Sequence, residues 1–288
     1  MSTRTESLLD GTDLSVEQAR SIAVHAALYG AAALFVLPYL WMFATSIKPR
    51  EQIYSSVPHL LPSGVTFQWY RQLLANSEIV GWTVNTVILA GSTTIAVLIV
   101  DAMIAYSLTR LEWPGRRVVF SVIVASFMVP GIINLVPVFM IVSELGLVNN
   151  LLGVVLPSVA NPLGVFMLYQ FFRDIPDELE EAARLDGFSR IRIFTHITLP
   201  LMRSALAALG LFIFIWTWNA FLWPLVILQD SAMYTLPIGL VTVQDTMGVT
   251  EPGIVMASAV IASVPLLLLF LVLQRHLVKA VEMQGSVG

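Results

Sequence analysis

The sequence predicts an all-α integral membrane protein with six transmembrane helices and both termini in the cytoplasm. Three observations carry this. Of the 288 residues, 57% are apolar and only 12% charged, against about 25% charged in soluble domains, and the mean hydropathy is +0.81. Six runs are long enough to cross a hydrocarbon core of about 30 Å, which takes about 20 apolar residues. Lys and Arg also segregate: twelve lie at the termini and in the second and fourth loops, and three (Lys48, Arg50, Arg71) lie in the first loop. Basic residues stay cytoplasmic, so this bias sets the orientation.

The runs span residues 26–47, 83–108, 118–142, 151–172, 204–228 and 254–273. The first follows a net-acidic leader, 1–25, whose basic residues are Arg4 and Arg20. Its 22 apolar-rich residues exceed the 7–15 of a signal-peptide core, so a retained helix is expected. The domain plan is a cytoplasmic segment 1–25 and a six-helix domain 26–288, with a cytoplasmic loop at 173–203. Proline is tolerable inside such helices because neighbours satisfy the freed carbonyls. Pro130 and Pro137 in the third run, and Pro157 and Pro162 in the fourth, predict kinks. Outside the membrane, 67–74 (FQWYRQLL) predicts a short interfacial helix. The outer loops, 48–82 and the base-free 229–253, fit either plain connectors or a docking surface.

Composition excludes several chemistries. There is no cysteine, hence no disulfide, thiolate site or Cys nucleophile. The four histidines (His25, His59, His196, His276) lack H-x-x-x-H spacing, and there is no Walker A, G-x-G-x-x-G or G-x-S-x-G motif. The chain is expected neither to bind ATP nor to make bonds by itself.

The loop 173–203 interrupts this apolar chain with charge. Pro176 suits a first helical turn, and Asp177 with Glu180 three residues on fits a capping box. Acids crowd the positive end of that helix, and Gly187 fits a left-handed stop after Asp186. A second short helix is expected over 188–198, closed by Pro200. Ala182 and Ala183 leave the first helix thin enough to enter a groove on another protein, flanked by Leu179 and Leu185. An amphipathic connector on the membrane surface fits the same pattern.

Glu181-Ala182-Ala183, three residues ending in Asp186, Gly187, nine residues, then Ile197-x-Leu199-Pro200 resembles the EAA loop of ABC importer membrane subunits at every signature position. Further stretches extend the likeness over most of the chain: TSIKPREQIYSS (45–56), AYSLTRLEWPGRR (105–117), MVPGIINLVPVF (128–139), TWNAFLWPLVIL (217–228) and QRHLVKAVEMQGSVG (274–288). They are similar to the carbohydrate-uptake, MalG-type branch of that family. Ala220, Ala280 and the terminal Gly288 depart from its usual pattern and put substrate details in doubt. The resemblance implies the type I importer permease fold. It also implies a coupling role for Glu181, Ala182, Ala183, Asp186, Gly187, Ile197, Leu199 and Pro200. The implied partners are an ABC ATPase dimer that binds ATP and Mg, a second, MalF-like permease and an extracellular solute-binding protein. No cofactor is expected in this chain.

Polar groups within the spans are the remaining candidates. Asn219, among Trp216, Trp218, Phe221 and Trp223, offers an amide beside aromatic faces, which suits a hydroxylated ring. Trp218, Asn134 and Asn85 are further pathway candidates, against a reading in which they only pack. Asp101 lies about 13 Å from Arg110 by helical rise. It is either a structural acid bonded to a neighbouring helix or, in an alternative function, the coupling site of an autonomous ion-driven transporter. An intramembrane enzyme would need a nucleophile–base pair or metal ligands, and the sequence offers none. Paired broken helices as internal repeats, the mark of a secondary transporter, are not evident.

Overall fold

Apolar runs broken by turn residues fold here into helices only, among the described residues. The computed structural model describes residues 3–55, 59, 61–248 and 251–285, with side chains between 18 and 272 except at 76, 247 and 248 wherever the backbone is described. The tail likeness at 274–288, with Ala280, and the leader residue Arg4 fall outside the described side chains.

The elements run α1 (Thr3–Ser46), α2 (Gln68–Asn76), α3 (Ile79–Arg110), α4 (Arg116–Ser126), α5 (Leu135–Glu144), α6 (Leu151–Val155) and α7 (Pro162–Arg173). They continue with α8 (Asp177–Leu185), α9 (Arg190–Ile193), α10 (Arg203–Trp218), α11 (Leu222–Ile227), α12 (Leu236–Val243) and α13 (Pro252–Gly285). Three single helices could cross a membrane by length and composition: Gln18–Ser46, Ile79–Arg110 and Pro252–Val272. Three bent pairs bring the count to six.

The third and fourth runs bend where kinks are expected, and the fifth breaks where none is. The third run is two helices, Arg116–Ser126 and Gly131–Glu144, at 98°. The fourth is Leu151–Ser158 and Pro162–Arg173 at 44°. The fifth run, expected as 204–228, stops at Trp218 and restarts at Leu222. Residues 3–25 of the expected leader are continuous with the first span in one helix, Thr3–Ser46.

Buried side chains form three clusters, and α3 is the one helix among the described elements that enters all of them. At the outer end Trp69, Leu73, Trp82, Trp218 and Leu236 pack together. Leu89, Val154, Ile227 and Ile238 form a second cluster. Toward the cytoplasm, Tyr106, Leu168, Phe172 and Leu209 form the third. By contrast, residues 18–41 of α1 are exposed, as a lipid-facing helix should be.

The outer loops are folded rather than loose. Helix α2 is amphipathic, but its buried face meets protein: Trp69 and Leu73 lie in the core, and a Cβ at Gly253 on α13 would overlap the Trp69 ring. That corrects the expected interfacial helix to one docked on the last span. Trp69 also donates its indole N–H to the Lys48 carbonyl at 2.8 Å. The Lys48 ammonium reaches the His59 carbonyl at 2.6 Å and stands 4.3 Å over the Trp41 ring. In the fifth loop, α12 buries Leu236, Ile238, Gly239 and Val243. Trp82 donates to the Ser231 carbonyl at 2.8 Å, and Leu236 N–H donates to Thr86 Oγ1 at 2.7 Å.

Candidate functional site

The hairpin of the 173–203 loop begins with α8, whose N-cap is Pro176. No side-chain cap forms, so the expected capping box between Asp177 and Glu180 is absent. Both carboxylates are drawn elsewhere: Asp177 pairs with Arg110, and Glu180 turns into the protein at 3% exposure. The expected stop at Gly187 does form, at φ +81°. Phe188 N–H donates to the Ala183 carbonyl and Gly187 N–H to that of Arg184, each at 3.0 Å, which satisfies the orphan carbonyls of the last turn.

The second arm begins at Ser189, whose hydroxyl accepts the Arg192 N–H at 3.4 Å. It runs through α9, a π-helical turn Phe194–Thr198 and a last turn Leu199–Leu201. Pro200 lies inside that last turn instead of closing the helix before it. Proline has no N–H and crowds the carbonyl four residues back, and a widened turn just before it relieves both problems. The chain then bends by 77° into α10.

Arg110, the last residue of α3, pins this hairpin. Its Nη2 donates to the carbonyls of Phe172 and Ile175, each at 2.5 Å, where α7 ends and its dipole is negative. Nη1 holds Asp177, and Nε lies 3.5 Å from Glu180 Oε1, an ion pair by distance without hydrogen-bond geometry. Tyr106 and Thr198 donate to Glu180 at 3.4 Å each, and Arg184 stands 3.7 Å away. Three elements, the ends of α3 and α7 and the start of α8, are thereby tied at one point. The sequence pattern marks Arg110 for orientation and depth and Glu180 for a cap and the helix dipole, and pairs neither with the other. Their partnership across 70 residues of sequence leaves no local pattern.

The EAA positions divide between two faces. Ala183 is buried and Leu199 packs against the cluster that holds Tyr106 and Phe172. Ile197 is half-buried, and Asp186, Gly187 and Pro200 are exposed. Glu181 and Ala182 are exposed, and Leu185 is 90% exposed. The hairpin therefore shows the outside several acids, Glu181 among them, small residues and an uncovered leucine, on a helix whose other face is anchored.

The pathway candidates do not gather in one place. Trp218 is 2% exposed, stacks on Phe214 and donates to the Ala262 carbonyl at 3.2 Å, so it is a core residue rather than a pathway lining. Asn85 donates to the carbonyls of Ala232 and Tyr234 at 2.9 and 3.0 Å and holds the fifth loop. Asn134 is exposed at the bend of the third span. Asn219 is exposed at the break after α10, with its amide on the Ile215 carbonyl at 2.7 Å. Asp101 is fully buried, and its Oδ1 accepts the Asn161 N–H at 2.9 Å at the break before α7. The Asn161 side chain in turn accepts the Gly164 N–H at 3.1 Å. Asp101 is thus bonded to a neighbouring helix, as its structural reading expects.

Residues 99–283 match the family described as binding-protein-dependent transport system inner membrane component. The chain is 34% identical over 265 residues to the diacetylchitobiose uptake system permease protein NgcG of Streptomyces coelicolor, covering 91% of this chain and 87% of that protein. It is 32% identical to the arabinooligosaccharides transport system permease protein AraQ of Halalkalibacterium halodurans, covering 89% and 93%. The same identity, over 84% and 89%, links it to the trehalose transport system permease protein SugB of Mycobacterium tuberculosis. The fold is similar to that of a bacterial ABC transporter involved in the import of the acidic polysaccharide alginate, with a TM-score of 0.82 at 24% identity, over 90% of this chain and 97% of that one.

Proposed function

Because the chain belongs to the binding-protein-dependent transport system inner membrane components, multi-pass permease subunits of ABC importers, we propose that it forms half of a carbohydrate pathway and takes up the ATP-driven stroke on α8. ATP hydrolysis lies in a partner ATPase chain, not in this one. Family membership overturns the alternative of an autonomous ion-driven transporter centred on Asp101.

The observation that carries the reading is the two-sided hairpin. Its outward face (Glu181, Ala182, Leu185) suits insertion into a cleft of an ATPase with a basic group for Glu181. Its inward face is locked by Arg110 to α3. Movement of α8 would then load α3, a helix of 32 residues and hence about 48 Å, rather than slackening in a loop. At the far end α3 holds the 229–243 region through Trp82, Asn85 and Thr86, where an extracellular solute-binding protein would dock. A second, MalF-like permease supplies the other half of the pathway, and the ATPase dimer holds ATP and Mg. Three relatives are named for transport of di- or oligosaccharides, which supports a carbohydrate solute.

Gly187→Asp and Glu181→Lys test this. Uptake should fall in both while the isolated binding protein still captures its solute. Normal uptake in both variants, with ATPase still co-purifying, would show the hairpin to be a connector.

A further inference from the structure

A cavity of about 300 Å³ lies where α3 passes the breaks of the fourth and fifth spans, within the range of small-ligand sites. Its wall includes Thr93 of α3, Asn161 before α7, and Trp216, Thr217 and Trp223 around the break after α10. Thr93 sits fourteen residues from the outer end of α3, about 21 Å by helical rise, hence well inside the bilayer.

The wall is polar in an unusual way. Thr94 and Thr86 on the same helix bond their hydroxyls back to the carbonyl four residues earlier, at 2.7 Å each. Thr93 and Thr217, only 3% and 9% exposed, have no such bond. Asn161 uses its oxygen on Gly164 and leaves its amide NH₂ free. The indole N–H of Trp223 is buried without a partner among the described residues. A polar group left unsatisfied inside a membrane costs several kcal/mol, on the order of its lost hydration. The Trp223 N–H is one such group, and three further polar groups that find no partner among the described residues face the same cavity, an arrangement better explained by an occupant than by packing. Trp216 and Trp223 add aromatic surface, and the groove that exposes Asn219 shares both, together with Ala220.

We propose that this cavity is a transit subsite for one ring of the carbohydrate. The Thr93 and Thr217 hydroxyls, the Asn161 amide and the Trp223 N–H take its hydroxyl groups, and Trp216 covers its apolar face. The pairing of hydroxyl-sized donors and acceptors with an indole face, and no free charge among them, selects a neutral hydroxylated ring over an ion or an amino acid. This inference rests on the carbohydrate reading above.

The test uses the intact importer in proteoliposomes with labelled trehalose, diacetylchitobiose and arabinotriose as probes. Thr217→Val keeps shape and removes one polar group, and Trp223→Phe removes the indole N–H together with part of the ring. Each should lower uptake of the transported probe about tenfold, the loss expected for roughly one hydrogen bond. Stimulation of ATP hydrolysis by the binding protein should persist, and Thr217→Ser should restore uptake. Should Thr217→Val fail to assemble, Thr93→Val on another helix asks the same question. Unchanged uptake in these variants overturns the subsite and leaves the carbohydrate reading intact. So does a parallel fall of uptake and ATP hydrolysis that Thr217→Ser does not rescue. A wild-type importer that moves no sugar of a broad mono- and oligosaccharide panel and carries an ion or amino acid instead overturns the carbohydrate reading and the subsite with it.

Discussion

The two ends of α3 hold their loops by different physics. At the cytoplasmic end, Arg110 ties α8 and the close of α7 with charge. At the outer end, tryptophan rings lie directly over glycines, Trp82 on Gly239 and Trp69 on Gly253, and their indole N–H groups reach backbone carbonyls. A charge pin holds direction and length at one point, which suits a lever. Broad aromatic contact holds a surface in shape, which suits a platform for another protein. On the function proposed above, one helix would carry a lever at one end and a platform at the other.

Breaking the pin should have the largest effect. Arg110→Ala leaves buried Glu180 with only the half-exposed Arg184, 3.7 Å away, and frees two carbonyls of α7, a loss of up to about 3–5 kcal/mol by the measure of broken buried ion pairs. The purified complex should melt at a lower temperature and uptake should be lost. Adding Glu180→Gln removes the stranded charge, so the double variant should regain part of the melting temperature. If the two losses simply add, the pair is not coupled.

Overpacking the platform should come next. A Cβ at Gly239 would overlap the Trp82 ring, and forcing atoms into a packed core costs about 1–3 kcal/mol. Gly239→Ala should therefore lower the melting temperature less than Arg110→Ala does. Protease sensitivity should rise in the 229–243 region and stay unchanged at the hairpin. Equal sensitivity at both ends would mean that the two regions unfold as one unit.

How much of this was legible in the sequence follows from the range of each interaction. The six apolar runs, the arginine bias and the stop at Gly187 are local and were readable. The breaks were only partly so, because proline does not decide them. Pro38 and Pro265 sit inside unbroken helices, while the fifth span breaks at Asn219–Phe221, ahead of Pro224. In lipid a proline is accommodated when neighbours satisfy the freed carbonyl, so the outcome depends on tertiary packing. Glu180 and Glu181 are chemically alike and adjacent. A turn of about 100° per residue sends one into the protein and the other out, and only the folded position of Arg110 says which.

A smaller effect is expected at the hinge of the lever. Gly187 has φ +81° with open space around it, so Gly187→Ala meets no neighbour and loses only the backbone preference, about 1–2 kcal/mol. Gly187→Asn, which tolerates that conformation, should recover most of it. The relevant measurement is the melting temperature beside uptake. An alanine variant as stable as the wild type would show that the turn can close another way.

The smallest change on the list of ties is also the most informative about transmission. Trp82→Phe removes one hydrogen bond, 2.8 Å long, to the Ser231 carbonyl and trims the part of the ring that lies over Gly239. That bond contributes about 1 kcal/mol to stability, a shift of a few degrees at most in a chain of this size. If the outer tie only braces the loop, uptake should follow stability and barely change. If α3 passes the stroke to the platform, the stimulation of ATP hydrolysis by the binding protein should fall several-fold in Trp82→Phe while basal hydrolysis stays near wild type. The ratio of stimulated to basal hydrolysis decides between a brace and a connecting rod.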